Sequence, residues 1–305
     1  MTYVKIKHIN DLKKLNDDVK FLYIDFYESE ITPDQHDIVK CFKYPKSITS
    51  VQVVFRCHDN KRFDLKFLEQ FTELEDLELG DNCVDQVLEE TVHGTDYCNL
   101  SDVKLPPNLT ELKAVCCGIK NFKFLRRLKK LEKLDLTANR INYLRKKDLP
   151  KSLKYFKFDL DEVYRKEYGW MCRYETYYIR KENIFSGLNN LVDLYICLDE
   201  FPKKIVFPSG LKTVFLRKVS NKKTDFDFRC CKKLEYLNML GVETKELLLP
   251  EYSKNFTSLY IADTGIEDLK FIEKMYLEYI YLDTEQCEFL KEINIPDTLT
   301  FSALS

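Results

Sequence analysis

The chain has only 8 Gly and 9 Pro in 305 residues, which leaves little material for flexible linkers. It lacks any run of about 18 apolar residues, the length that a membrane-crossing helix needs. Its opening, Met1-Thr2-Tyr3-Val4-Lys5-Ile6-Lys7-His8, has no apolar segment of the secretory kind. Its last four residues do not form a prenylation box. An excess of one charge is lacking too. With 48 Lys and Arg against 50 Asp and Glu the net charge is −2, so there is no bulk field for nucleic acid or an anionic membrane. The four His, at 8, 36, 58 and 93, fall in different segments, and Cys57-His58 is an isolated pair, so no metal centre is implied. C-x-x-C, G-x-S-x-G, H-E-x-x-H and a glycine-rich phosphate loop are all missing. The residues imply no catalytic centre and no cofactor.

Hydrophobic residues at 45% and charged residues at 32% fit a folded chain. The 11 Cys are odd in number and scattered, with adjacent pairs at Cys116-Cys117 and Cys230-Cys231. Without a leader they read as reduced thiols of a cytoplasmic or nuclear protein, serving as small hydrophobes in a core.

Two segments align without gaps: Phe71 to Val84 reads FTELEDLELGDNCV and Leu128 to Ile141 reads LKKLEKLDLTANRI. Both fit L-x-x-L-x-x-L-x-L-x-x-N-x-L. The L-x-L core predicts a short strand whose alternate residues point inward. The Asn turns the chain out of the strand, its amide bonding backbone groups of adjacent coils. Sliding this template along the chain, with the apolar residue three before the first inward residue as anchor, places coils at Val19, Ile48, Leu74, Leu109, Leu131, Leu153, Leu191, Leu211, Leu234, Phe256, Leu277 and Leu299. Eight of the eleven spacings lie between 20 and 26 residues; the longer ones, of 29, 35 and 38, mark insertions. A globular α/β domain with Leu-rich helices would not hold an L-x-L pair in fixed register twelve times.

Alternate coils open with Pro, at Pro45, Pro106, Pro150, Pro208 and Pro296, with a looser copy at Pro250. The coils between open with bulky residues, as at Phe67-Leu68, Phe124-Leu125, Ile184-Phe185, Phe226-Asp227-Phe228 and Phe271-Ile272. Because Pro fixes φ and removes a donor, Pro-opened coils should have extended backs and the others a turn of helix or 3₁₀.

The 22-residue pattern resembles leucine-rich repeats, and the Pro-opened coils resemble the L-P-x-x-L repeats of bacterial effector and amoebal FNIP-type members of that family. The resemblance covers nearly the whole chain. It implies an α/β solenoid, a horseshoe or arc with a parallel concave β-sheet and a mostly extended, 3₁₀ or short-helical convex side, running over 1–305 as a single domain. The turn Asn is present only at Asn82 and Asn139. Cys117, Asp161, Asp199 and Thr264 can replace it, whereas Tyr27, Arg56, Val219, Val242 and Glu285 cannot, so irregular turns are expected at both ends.

In such a solenoid the residues flanking each inward pair face the concave surface. In the N-terminal and middle coils these are Asp76, Glu78, Glu111, Lys113, Lys133, Asp135, Lys157 and Asp159; in the C-terminal coils they are Tyr195, Phe215, Tyr236, Tyr260, Tyr279 and Tyr281. The reading is a binding face with a charged centre and an aromatic ladder as anchor. The alternative is that the Tyr residues stack across parallel strands only to stabilise the sheet.

Two insertions stand out. Residues 85–100 carry four acids and no Lys or Arg. Residues 163–183 hold five Tyr, the only Trp and five basic residues, and Trp170, Arg173, Tyr168 and Tyr174 are of the kinds that dominate interface energies. The function expected is a non-enzymatic scaffold or adaptor that binds a protein partner, with no membrane role. The alternatives are nucleic-acid or phosphoprotein recognition through 163–183, and a regulatory subunit of an enzyme.

Overall fold

The computed structural model describes residues 2–26, 30–31, 33–55, 64–81, 100–115, 117, 119, 121–137, 139, 143–158, 178–179, 184–198, 201, 203–218, 223–295 and 299–304. The chain divides into two compact units. The first carries Met1–Asn142 and Lys147–Ser152; the second carries Tyr143–Lys146, Leu153–Asp159 and Thr176–Ser305.

The first unit holds six parallel strands, β1 Thr2–Ile6, β2 Val19–Asp25, β3 Ser50–Phe55, β4 Asp76–Asp81, β5 Glu111–Val115 and β6 Lys133–Asp135, laid side by side in chain order. The alternating pattern explains the stack. Leu22, Val51, Leu77, Leu112 and Leu134 are in register and at most 1% exposed, so each coil buries its inward residue on the one before. Truncating any of them to Ala should cost about 2–5 kcal/mol.

The second unit repeats the design with seven parallel strands. They are β8 Tyr155–Phe158, β10 Asp193–Leu198, β12 Thr213–Lys218, β14 Tyr236–Asn238, β16 Ser258–Tyr260, β17 Tyr279–Asp283 and β18 Thr300–Leu304. Its inward row runs Phe156, Leu194, Val214, Leu237, Leu259 and Ile280. A minor parallel pair joins β7 Tyr143–Leu144 to β9 Tyr178–Ile179.

A repeated bond fixes the register of both units. At the entry to most of the strands two successive N–H groups donate to one carbonyl of the preceding coil. Thr110 and Glu111 do so to Glu75 at 2.8 and 3.0 Å, and Val192 and Asp193 to Lys154 at the same distances. The anchors thus mark the strands, with two corrections. The stack begins one strand before Val19, because β1 pairs in parallel with β2; its segment lacks a Leu-x-Leu pair. In the last coil Phe301, not Ser302, is in register with Ile280, so Leu299 stands one residue late in the frame.

The backs follow the expectation in part. Bulky-opened coils form 3₁₀ turns at Lys66–Gln70, Lys123–Arg127 and Lys270–Lys274. The coil opened by Phe226 does not: its back is β13 Thr224–Asp227, held between β11 Lys204–Val206 and β15 Thr244–Leu248 in a parallel three-stranded sheet. Alternation at Thr224 and Phe226, both buried, suits a strand, and strands on both sides satisfy its backbone. Pro208 and Pro250 follow extended backs, whereas Pro106 and Pro150 follow short 3₁₀ turns at Leu100–Asp102 and Lys146–Asp148. Pro at the coil entry therefore limits only its own neighbours. Gly210 is demanded by close approach: a Cβ there would stand 2.8 Å from the Asn189 carbonyl oxygen and 2.9 Å from that of Leu191.

Asn139, 1% exposed, is the turn hub the pattern implies. Its Oδ1 accepts from the N–H groups of Cys117 and Ile119 at 3.1 and 3.0 Å. Its Nδ2 donates to the carbonyls of Ala114, Leu136 and Thr137. At Thr264 a hydroxyl does less, donating to the Ile261 carbonyl at 2.6 Å. Gln286, from the helix Thr284–Phe289 of the next coil, adds bonds to the Thr264 hydroxyl and the Ile266 carbonyl. Val242 is fully buried and fills the same place without a polar bond from its side chain. Asn82 and the positions at Tyr27, Arg56, Asp161, Asp199 and Val219 lie outside the described residues.

Cys117, Cys197 and Cys231 are buried thiols. Burial pushes the Cys231 thiol far up from its ordinary value, with Cys230 adding to the effect, so it stays protonated and donates to the Pro208 carbonyl. This is core behaviour rather than that of a nucleophile.

Candidate binding face

On the side of the sheet turned away from the core, register decides which side chains meet. In the first unit Asp76, Glu111 and Lys133 share one row, and Glu78, Lys113 and Asp135 share the next. Lys113 Nζ lies 2.5 Å from Glu78 Oε1, and Lys133 Nζ lies 2.5 Å from Glu111 Oε1. The Ser50 hydroxyl donates to Asp76 at 2.9 Å. Burial, opposed by the Ser50 bond and aided by the carboxylates of Glu111 and Glu78, raises the Asp76 carboxyl above its ordinary value. The charged centre is thus largely satisfied by its own neighbours. Lys157 is half-buried in β8, and Asp159 lies outside the described residues.

The first two strands depart from the charged reading. Phe21 and Tyr23 occupy the outward positions of β2; Tyr3 stacks on Phe21 at 5.1 Å, and Lys5 Nζ stands 4.2 Å from the centre of the Tyr23 ring. Applying the frame of anchor Val19 to residues 21 and 23 would have found them.

In the second unit all six predicted aromatic residues come together, and a seventh, Tyr155, extends them. Consecutive ring centres lie 5.5 Å apart from Tyr155 to Tyr195, 4.7 Å to Phe215, 4.8 Å to Tyr236 and 5.1 Å to Tyr260. From Tyr260 both Tyr279 and Tyr281 are 5.8 Å away. The series is a zigzag rather than one row. Tyr195, Phe215, Tyr260 and Tyr281 belong to one register row, and Tyr155, Tyr236 and Tyr279 to the row two residues earlier. Where Asn238 interrupts the first row, the ring of Tyr236 crosses over to bridge Phe215 and Tyr260. The sequence frame gave Lys157 for β8 and so missed Tyr155 in the neighbouring row.

Each of these rings is half-buried. Tyr195 and Phe215 are inclined by 16° and Phe215 and Tyr236 by 28°, so ring faces cover one another along the stack. What remains outward is ring edge, which carries the positive end of the quadrupole, together with the phenol hydroxyls. Burial first, then the Asp193 carboxylate, raises the Tyr195 phenol above its ordinary value; burial and the neighbouring Tyr236 do the same for Tyr260. These hydroxyls are therefore neutral donors at physiological pH. The Tyr279 hydroxyl is shared with Ser302 at 3.1 Å.

Tyr168, Trp170, Arg173 and Tyr174 lie outside the described residues, as does nearly all of insertion 85–100. Among the described residues no group of three or more His, Cys, Asp or Glu could hold a metal ion, and no helix is long and apolar enough to cross a membrane.

No protein-family model matches the chain, and no curated protein sequence does. Among solved structures the chain is similar to an internalin of Listeria monocytogenes, at 13% identity over 96% of this chain and 88% of that one, with a TM-score of 0.43. It is similar to an LRR protein of Leptospira interrogans at 13% identity, over 98% and 99% of the two chains, with a TM-score of 0.37. TLR13, solved in a TLR13–ssRNA13 complex, is 15% identical over 94% of this chain and 44% of its own, with a TM-score of 0.39. The fold is read from the chain itself. Parallel strands in chain order, a Leu-rich inward row, repeated entry bonds and the Asn139 turn make each unit a leucine-rich-repeat stack of the α/β solenoid class.

Proposed function

We propose that the chain is a non-enzymatic interaction protein that grips a protein partner through the aromatic face of its second unit. The observation that supports this is the unbroken contact series from Tyr155 to Tyr281, whose outward surface is ring edge and hydroxyl. Edges and neutral O–H donors match the carbonyl oxygens and carboxylates of a polypeptide. They match a base or sugar ring less well, since such a ring needs an open aromatic face and from Tyr195 to Tyr236 the faces are turned on one another.

The test is affinity purification from the native source with wild type and with Tyr195, Tyr260 and Tyr281 changed together to Ser. Loss of a specific partner, with the circular dichroism and melting transition retained, supports the aromatic face. A partner that stays bound to the folded variant overturns it, and the insertion around Trp170, with Tyr168, Arg173 and Tyr174, becomes the binding element to delete. The L-P-x-x-L subtype belongs to the same proposal, supported by the Pro that enters alternate coils at Pro106, Pro150 and Pro208.

A further inference from the structure

One coil of the second unit breaks the repeat at two neighbouring places. In the coils anchored at Leu74, Leu131 and Leu191 the residue three before the anchor is Phe71, Leu128 or Leu188, at most 2% exposed. The residue before that is Gln70, Arg127 or Gly187, none of them buried. In the coil anchored at Leu234 both places are Cys. Cys231 is fully buried and Cys230 is exposed. Packing explains neither: a thiol fills less of the core than the Leu or Phe of the sister coils, and Cys230 has no core to fill. Cys116, the neighbour of Cys117 in the other adjacent pair, lies outside the described residues.

The two thiols converge on one place. Cys230 Sγ donates to the Phe207 carbonyl at 2.9 Å, and Cys231 Sγ to the carbonyl of the next residue, Pro208, at 3.4 Å. The backbone between them is a tight turn. Cys231 N–H donates to the Phe228 carbonyl at 2.8 Å, and Lys232 N–H to the Cys230 carbonyl at 3.0 Å. Leu234 N–H donates to the Cys231 carbonyl at 3.0 Å, which ties the pair to the anchor of β14.

We infer that Cys230 and Cys231 form a redox-modification site, which a peroxide closes to a disulfide between the two neighbours and a dithiol reopens. Exposed Cys230 is the sulfur a peroxide can reach. It loses its proton and attacks one peroxide oxygen, giving a sulfenic acid and water. The Cys231 sulfur then attacks the sulfenic sulfur, its proton leaves with the displaced hydroxide as a second water, and the S–S bond forms. Two thiols thus lose two electrons and two protons, and one hydrogen peroxide becomes two waters. Burial keeps the Cys231 thiol protonated and slow toward peroxide in solution. Adjacency offsets this, because the attacking sulfur is already in place. Adjacent Cα atoms stand about 3.8 Å apart across a trans peptide, below the roughly 4.4–6.8 Å of ordinary disulfides. The closed ring is therefore strained and easily reduced, as suits a reversible site rather than a structural bridge. Closing it also removes both thiol donors to Phe207 and Pro208, and so loosens the turn that leads into β14. This inference does not depend on the aromatic face.

The test treats the full chain with limiting hydrogen peroxide, blocks thiols with a maleimide under denaturing conditions, and cleaves before Asp. The fragment Asp227–Ala262 contains Cys230 and Cys231 and no other cysteine. Expected is a fragment that takes up no maleimide and weighs about 2 Da less than the dithiol form, with both thiols restored by dithiothreitol. Before reduction the oxidised chain should also unfold at a lower urea concentration than the untreated one. In Cys231→Ser the Cys230 sulfenic acid should persist and be trapped by dimedone, whereas wild type gives no adduct. In Cys230→Ser the Cys231 thiol should survive peroxide and take up maleimide on denaturation; urea melts confirm that both variants are folded. The inference is overturned if both thiols survive in wild type, or if Cys230 proceeds to sulfinic acid or a mixed disulfide while Cys231 keeps its thiol. Equal dimedone trapping in wild type and Cys231→Ser overturns it as well, as does an unchanged urea midpoint in the disulfide form.

Discussion

The two units share a backbone plan and differ in what they place on it. Both lay strands side by side in parallel, both use paired N–H donors at most strand entries, and both bury a row of Leu and its substitutes. On the outward rows the first unit sets carboxylates against ammonium groups from β4 to β6, and the second sets rings against rings from β8 to β17. The ladder brings together whatever stands two and four residues after the anchor, so the same geometry yields two surfaces. Exposed ion pairs contribute about 0–1 kcal/mol and are screened by salt. Stacked rings add about 0.5–1.5 kcal/mol beyond their burial and are not screened. The second unit is thus stiffened on both sides of its sheet, whereas the first relies on its core and its turn bonds.

The largest expected effect probes those turn bonds. Asn139→Ala removes a buried amide that serves five backbone groups and should destabilise the first unit by about 3 kcal/mol in urea unfolding. Thr264→Ala, at the matching turn of the second unit, should cost about 1 kcal/mol, since one hydroxyl is lost and Gln286 keeps its bond to Ile266. Equal costs would show that both turns depend on the hub alike. A double-mutant cycle on Tyr195 and Phe215 should give a coupling of about 1 kcal/mol that survives 0.5 M salt. The same cycle on Lys133 and Glu111 should give about 0.5 kcal/mol or less, vanishing at that salt concentration. A salt-resistant ion pair or a salt-sensitive ring pair would break the contrast between the faces. The smallest effect concerns Asp76. Its carboxyl is raised in the fold, so ionisation opposes folding above that raised value and the penalty fades as pH falls through it. Asp76→Asn should therefore add a few tenths of a kcal/mol at pH 7 and almost nothing below about pH 4, read from urea midpoints.

Much of this was legible in the sequence because a 22-residue period repeats both a geometry and its chemistry. Leu77-x-Leu79 and Leu134-x-Leu136 mark strands, and Asn139 marks a turn, whatever surrounds them. The aromatic series was legible as a set of residues, since all six predicted rings meet. What escaped was anything that depends on a neighbouring coil. β1 lacks the repeat pattern and is a strand because β2 offers its edge. Thr224–Asp227 is extended because strands flank it on both sides. Tyr155 joins the series through its ring contact with Tyr195, from the row two residues before Lys157.

By itself, then, the sequence determined the inward residues, the strand register through most of the stack, and which kinds of side chain face outward in each coil. These follow from local periodicity, and each copy repeats the instruction. The tertiary structure decided which outward groups satisfy one another. Lys113 closes on Glu78 from 35 residues away, and the face of Phe215 lies between Tyr195 and Tyr236, so edges rather than faces remain to meet a partner. Ring orientation and ion pairing are settled by packing between coils, where the neighbour across the ladder is remote in sequence.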